Sequence, residues 1–214
     1  GEFRTGIARF DSSGKIDKSF GPLLKQDDPW ANVNAMARQP DGKIVISGDF
    51  TEVNGVSRAK IARVNADGSL DSTFDPGEGL NQQANCVTIA PDGKIYLGGG
   101  FTVYRRITRN GILRLNADGS LDQSFNPVNG LSGAYAVRSI TILGDGRLLV
   151  EARTAHINLS DRASTLHVMN PDGPTSPDPP RTRAAARRTR YDVGRGDLVA
   201  LLANEPKYRV EQVW

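Results

Sequence analysis

The chain repeats itself, and that constrains its fold more than any other feature. The string Ile61-Ala62-Arg63-Val64-Asn65-Ala66-Asp67-Gly68-Ser69-Leu70-Asp71-Ser72-Thr73-Phe74 returns almost unchanged as Ile112-Leu113-Arg114-Leu115-Asn116-Ala117-Asp118-Gly119-Ser120-Leu121-Asp122-Gln123-Ser124-Phe125. A weaker copy runs from Ile7 to Phe20, and half of another runs from Leu166 to Gly173. Gly14, Gly68, Gly119 and Gly173 are therefore equivalent, at spacings of 54, 51 and 54 residues. A period near 50 indicates an array of supersecondary units rather than an irregular domain.

Each repeat has a second block upstream. Ala35 to Phe50 aligns with Cys86 to Phe101 and with Ser139 to Thr154, with the turns Asp41-Gly42, Asp92-Gly93 and Asp145-Gly146 in register. Asp-Gly between short aliphatic and β-branched runs is a hairpin signal, because glycine accepts the positive φ of a tight, right-twisting turn. Each block thus predicts two antiparallel strands, and the Asn-Ala-Asp-Gly block predicts two more. Four strands in about 50 residues describe a blade of a β-propeller, with a β-solenoid as the alternative. Helical arrays are excluded, since Gly, Asn and Asp recur where helix formers would be needed. The expected fold is all-β, with about three and a half blades.

These motifs, Gln39-Pro40-Asp41-Gly42-Lys43-Ile44, Gly99-Gly100-Phe101 and Ile61 to Asp71, resemble the bacterial delta-60 repeat proteins over about residues 7–173. The resemblance implies a β-propeller from large, often exported bacterial proteins, with a binding or scaffolding role and no catalytic residues to carry over. Three and a half blades do not close a ring, which takes at least about four. A homo-oligomer, most simply a dimer, is expected to complete it.

The flanks read differently. Residues 1–6 are expected to be a cloning scar or leader, 7–173 the partial propeller, 174–190 a Pro/Arg-rich linker, and 191–214 a short foreign tail. The linker is low-complexity, and its prolines exclude a central strand. The tail, with Leu201-Leu202, Glu205-Pro206-Lys207-Tyr208-Arg209 and Gln212-Val213-Trp214, resembles the N-terminal helical segment of bacterial radical-SAM ribosomal RNA adenine methyltransferases. The cluster cysteines of those enzymes are absent, so their activity is not implied. The combination reads as a library-derived chimera.

Charge follows the same division. The formal net charge is +3, and all of the excess lies after Gly173, where eight basic residues face five acidic ones. The arginine run 181–190 has no interleaved aromatics, so a solvated linker accounts for it and nucleic acid is not the expected partner. No apolar run approaches the ~18 residues of a membrane-spanning helix. The single cysteine, Cys86, excludes a disulfide framework and a multi-thiolate zinc site. The compartment stays open in the sequence; the parent propeller would be exported or on the cell surface.

The repeat carboxylates Asp41, Asp67, Asp92 and Asp118 read as turn residues. Candidate chemistry lies where copies diverge. Ser47-Gly48-Asp49-Phe50 and Gly98-Gly99-Gly100-Phe101 become Glu151-Ala152-Arg153-Thr154, followed by His156 and Asp161. Imidazole and carboxylate suit zinc or manganese, which supply hydroxide near neutral pH. The candidate metal ligands are His156, Asp49, Glu52 and Asp161, and the candidate catalytic groups are His156, Asp161 and Glu151. His167 reads as a strand residue at the position of Arg63 and Arg114. Asp27, Asp28 and Trp30, with Asp75 and Glu78 in the next inter-blade loop, suit a sugar-binding cleft as readily.

Nucleophile-elbow, zincin, Walker and dinucleotide-binding motifs are absent. The functional expectation is a weak metal-dependent hydrolase of activated phosphate di- or triesters or related esters. Its alternative is a non-catalytic binding or scaffold propeller, with carbohydrate among its ligands. In both cases the partners are a small molecule and a second copy of the chain.

Overall fold

In the computed structural model, which describes residues 6–25, 31–127, 134–154, 164–169 and 171, each Asp-Gly turn closes a hairpin as expected. The loops hold three residues. Gln39 N–H donates to the Lys43 carbonyl at 2.8 Å, Gly42 N–H donates back to Gln39 at 3.0 Å, and Gly42 sits at φ 90°. The Asp41 carboxylate accepts from Lys43 N–H at 3.1 Å, Asp92 does the same for Lys94, and Asp67 and Asp118 receive Ser69 and Ser120. An aspartate that bonds its own backbone two residues on is what makes these turns local and repeatable.

Fourteen strands follow in order: β1 (Leu24–Lys25), β2 (Asn32–Arg38), β3 (Ile44–Asp49), β4 (Glu52–Val53), β5 (Val56–Ser57), β6 (Ile61–Val64), β7 (Ala84–Ile89), β8 (Ile95–Gly99), β9 (Val103–Tyr104), β10 (Ile107–Thr108), β11 (Ile112–Leu115), β12 (Ala134–Ile142), β13 (Leu148–Thr154) and β14 (Ser164–Met169). There is no helix among the described residues. Three antiparallel sheets, β2-β3-β6, β7-β8-β11 and β12-β13-β14, are successive blades, and residues 6–25 are the outer half of a blade preceding them. The sheets do not close into a ring.

In the half-blade and the first two blades the fourth strand is present as a single pair of residues: Phe10 with Ile16, Val64 with Leu70, and Leu115 with Leu121. It stops there because the next residue, Asp71 or Asp122, bonds Thr73 or Ser124 N–H at 3.0 Å and bends the chain away. Between β3 and β6 the chain inserts the small hairpin β4-β5, paired to β1, and between β8 and β11 it inserts β9-β10. Neither was read from the sequence, although Asn54-Gly55, at φ 52° and 78°, is a type I′ hairpin signal.

Three apolar layers hold the blades together. Ile7, Phe20 and Leu24 of the half-blade pack on Ile46, Ala62 and Val64 of the first blade. On the other face of that blade, Val45 and Ile61 meet Ile95, Leu97, Leu113 and Leu115. Tyr96, Ile112 and Phe125 then meet Ile140, Leu148, Val150 and Met169. Because β6 and β11 lie between neighbours, all four residues of each are buried and the strands lose the polar alternation of a half-exposed sheet.

Strand register corrects one expectation. His167 lies opposite Val150, where Ala62 faces Ile46 and Leu113 faces Leu97, so its counterparts are Ala62 and Leu113. The residue at the position of Arg63 and Arg114 is Val168, opposite Leu149.

Candidate functional site

In the first and second blades the end that bears the Asp-Gly turns is occupied by a structural cluster. In the first blade Arg63 Nε donates to Asp71 at 2.7 Å, Lys43 lies 2.8 Å from the same carboxylate oxygen, and the guanidinium stacks 5.1 Å from the centre of the Phe74 ring. The second blade repeats this with Arg114, Asp122, Lys94 and Phe125. Arg63 also donates to the Ala117 carbonyl of the next blade, as Arg9 does to Ala66. Burial would raise the carboxyls of Asp71 and Asp122, but bonds from the lysine, the hydroxyl and the arginine hold both far below the usual range. Asp17, bonded by Ser19 and then Arg9, is held at about 2. Groups locked in the charged form bond and position; they do not exchange protons near neutral pH.

Cys86 is equally unsuited to chemistry. Burial pushes its thiol up to about 12, so the thiolate that attacks an electrophile is scarce.

At the opposite end the expected site residues are dispersed. Asp49 closes β3 and pairs with Lys60 at 2.6 Å, while Glu52 on β4 pairs with Lys25 at 3.2 Å. Glu151 lies two blades away, in the middle of β13 rather than in a loop, and has looser company. Ser139 Oγ is 3.4 Å from it and Arg138 4.0 Å. His156 and Asp161 lie outside the described residues, as do Asp27, Asp28 and Trp30. Among the described residues no three His, Cys, Asp or Glu side chains gather as a metal group. Asp75 bonds Gly77 N–H of its own turn, and Glu78 is held by Arg106.

The hairpin β9-β10 carries what the sequence reading missed. Its turn is Arg105-Arg106, at φ 48° and 65°, where the sibling hairpin has Asn54-Gly55. A left-handed conformation costs a non-glycine residue about 1–2 kcal/mol. Both arginines are exposed, and Arg106 makes two bonds to Glu78 from the preceding inter-blade loop, one of 2.7 Å. Only alignment of the two insertions on their flanking Phe50 and Phe101 would have exposed the substitution.

Comparison with known proteins agrees with this architecture. A family described as a domain of unknown function with a β-propeller fold, DUF5122, matches residues 39–74 and 90–125. Those segments are the first and second blades without their innermost strands. No curated protein matches the chain. The recurring sheets, the Arg-Asp-Lys cluster shared by the first two blades and the family match over those blades together make the repeats of this chain β-propeller repeats.

Proposed function

We propose that the chain is a binding module of propeller type, which presents a small anionic ligand surface at the hairpin ends of its blades. The observation that supports it is the Arg105-Arg106 turn. The same left-handed turn in the neighbouring blade uses Asn54-Gly55, which tolerate positive φ, so the conformation belongs to the hairpin and the arginines that strain it belong to this blade. The exposed Arg105 guanidinium at this tip, next to an Arg106 that Glu78 holds in place, suits phosphate, sulfate or carboxylate recognition. Replacing both arginines with the sibling's residues, Arg105→Asn with Arg106→Gly, separates fold from function. The double variant should be more stable, by about 1–2 kcal/mol in thermal unfolding. Its affinity for inorganic phosphate or a sulfated sugar should fall at least about fivefold, the loss of one charge-assisted bond. Gain of stability with unchanged affinity rejects the proposal.

A second reading is a metal-dependent hydrolase of activated phosphate di- or triesters, with zinc or manganese held by His156, Asp161 and a carboxylate of Glu151, Asp49 or Glu52. Glu151 favours it, because unlike Asp49 and Glu52 it is not committed to a short ion pair. His156→Ala should then lower both metal content and turnover of a nitrophenyl phosphotriester by about tenfold or more. Full turnover by metal-stripped protein excludes the reading.

A further inference from the structure

The two ends of the repeat array carry complementary halves of one blade. The half-blade of residues 6–25 has the outer part of the cluster intact: Arg9 bonds Asp17 at 2.9 Å and stacks 4.8 Å from the centre of the Phe20 ring. It lacks, among the described residues, the strands equivalent to β2 and β3 and the lysine they carry. The third blade is the reverse. Its β12-β13 hairpin is complete, with Arg147 in the place of Lys43 and Lys94, but β14 has Val168 in the place of the arginine, and by spacing Ser176 stands where the aspartate belongs. Arg147 is left to bond the adjacent Asp145 at 2.6 Å.

Exposure marks the same two surfaces. Phe10 is 61 % exposed, whereas its equivalents Val64 and Leu115 are fully buried. Met36 on β2 is 53 % exposed, whereas Ile140, at the same register two blades on, is 5 % exposed. In each case the buried equivalent is covered by the blade before it.

We propose that two copies of the chain exchange these halves. Residues 7–10 of each copy pair with β13 of the other in place of β14, forming a hybrid blade. Register from the intact blades sets Ile7 opposite Glu151, Ala8 opposite Val150, Arg9 opposite Leu149 and Phe10 opposite Leu148. Phe10 then takes the buried place of Met169 against Phe125 of the partner, and Arg147 meets the partner's Asp17 as Lys43 meets Asp71. Met36 is covered by the hybrid blade. The outer position before the first blade is already filled by residues 6–25, so β14 and that segment cannot both serve it. The described strands of one copy, closed on themselves, would make three blades, too few for a ring; those of two copies make six, within the usual four to eight. A mutual exchange of this kind has the two-fold symmetry of common dimers.

The test is a cysteine pair in the full chain, Ala8→Cys with Val150→Cys. Facing residues of neighbouring strands lie at disulfide distance. The unmodified chain should have about twice its 23.1 kDa mass at tens of micromolar. Mild oxidation of the double variant should give a covalent dimer on a non-reducing denaturing gel, which either single variant should not. A monomeric native chain, or a dimer that the pair fails to link, overturns the hybrid blade. Should the variant misfold, charge reversal decides: Arg147→Asp should weaken the dimer about fivefold and added Asp17→Arg should restore it. An unchanged dimer in Arg147→Asp overturns the proposal.

Discussion

Arg114→Ala should lower stability by about 3–5 kcal/mol, the cost of removing one partner from a buried ion pair. The side chains of Arg114 and Asp122 are 5 % and 8 % exposed, and the guanidinium also donates to Ser124 Oγ at 2.9 Å and to the Tyr96 hydroxyl at 3.2 Å. Lys94 would remain on Asp122, but as a half-exposed point charge it cannot replace the fork that joins three side chains. For a chain of this size the change corresponds to a fall of roughly 10 °C in melting temperature. The half-blade supplies an internal control. Arg9 and Asp17 are 39 % and 28 % exposed, so Arg9→Ala should cost no more than about 1 kcal/mol. Equal losses at the two sites, in denaturant melts, would show that the cluster acts by something other than buried charge pairing.

The same cluster fixes the acid limit of stability. Asp71 and Asp122 have folded carboxyls depressed below the ordinary 3.8, so their contribution is fully present above that value. It is lost as pH falls below about 4 through the folded values, because protonation then favours the unfolded chain. Arg114→Ala should flatten this acid dependence.

Tyr104→Ala should be comparably destabilising, by about 3–5 kcal/mol, because it empties a large fully buried site. Tyr104 closes β9, is wholly buried among Phe74, Leu80 and Phe101, and donates its hydroxyl to the Gly119 carbonyl. It therefore ties the inserted hairpin to the turn of its own blade. Tyr104→Phe keeps the ring and leaves that carbonyl unsatisfied, a loss of about 1–3 kcal/mol. Urea titration of both variants separates the two contributions. A phenylalanine variant as damaged as the alanine one would place the stabilisation in the hydrogen bond rather than in packing. The hairpin tip two residues away should stay accessible in both.

Repetition within the chain determined the blades, their hairpins and the role of the turn aspartates, since each depends on residues close in sequence. Asp41-Gly42 specifies a turn wherever it stands, and Phe74 and Phe125 can be matched by eye. Equivalent positions then acquired different fates from what lies beside them in space. Ser47, Gly98 and Glu151 share one register; Ser47 accepts from Ala84 N–H of the next blade at 3.0 Å, Gly98 leaves room for Val137, and Glu151 lies on the third blade, with no following blade among the described residues. Phe10 and Val64 are likewise one position, Val64 buried against Ile7 and Phe20 of the half-blade and Phe10 exposed, with no preceding blade among the described residues. Local pattern carries no information about which neighbour is present, because blade stacking joins residues some 50 apart, largely through side-chain contact. The strain at Arg105-Arg106 belongs to the same class, for the strand pairing of β9 and β10 imposes the left-handed turn on residues that would not choose it.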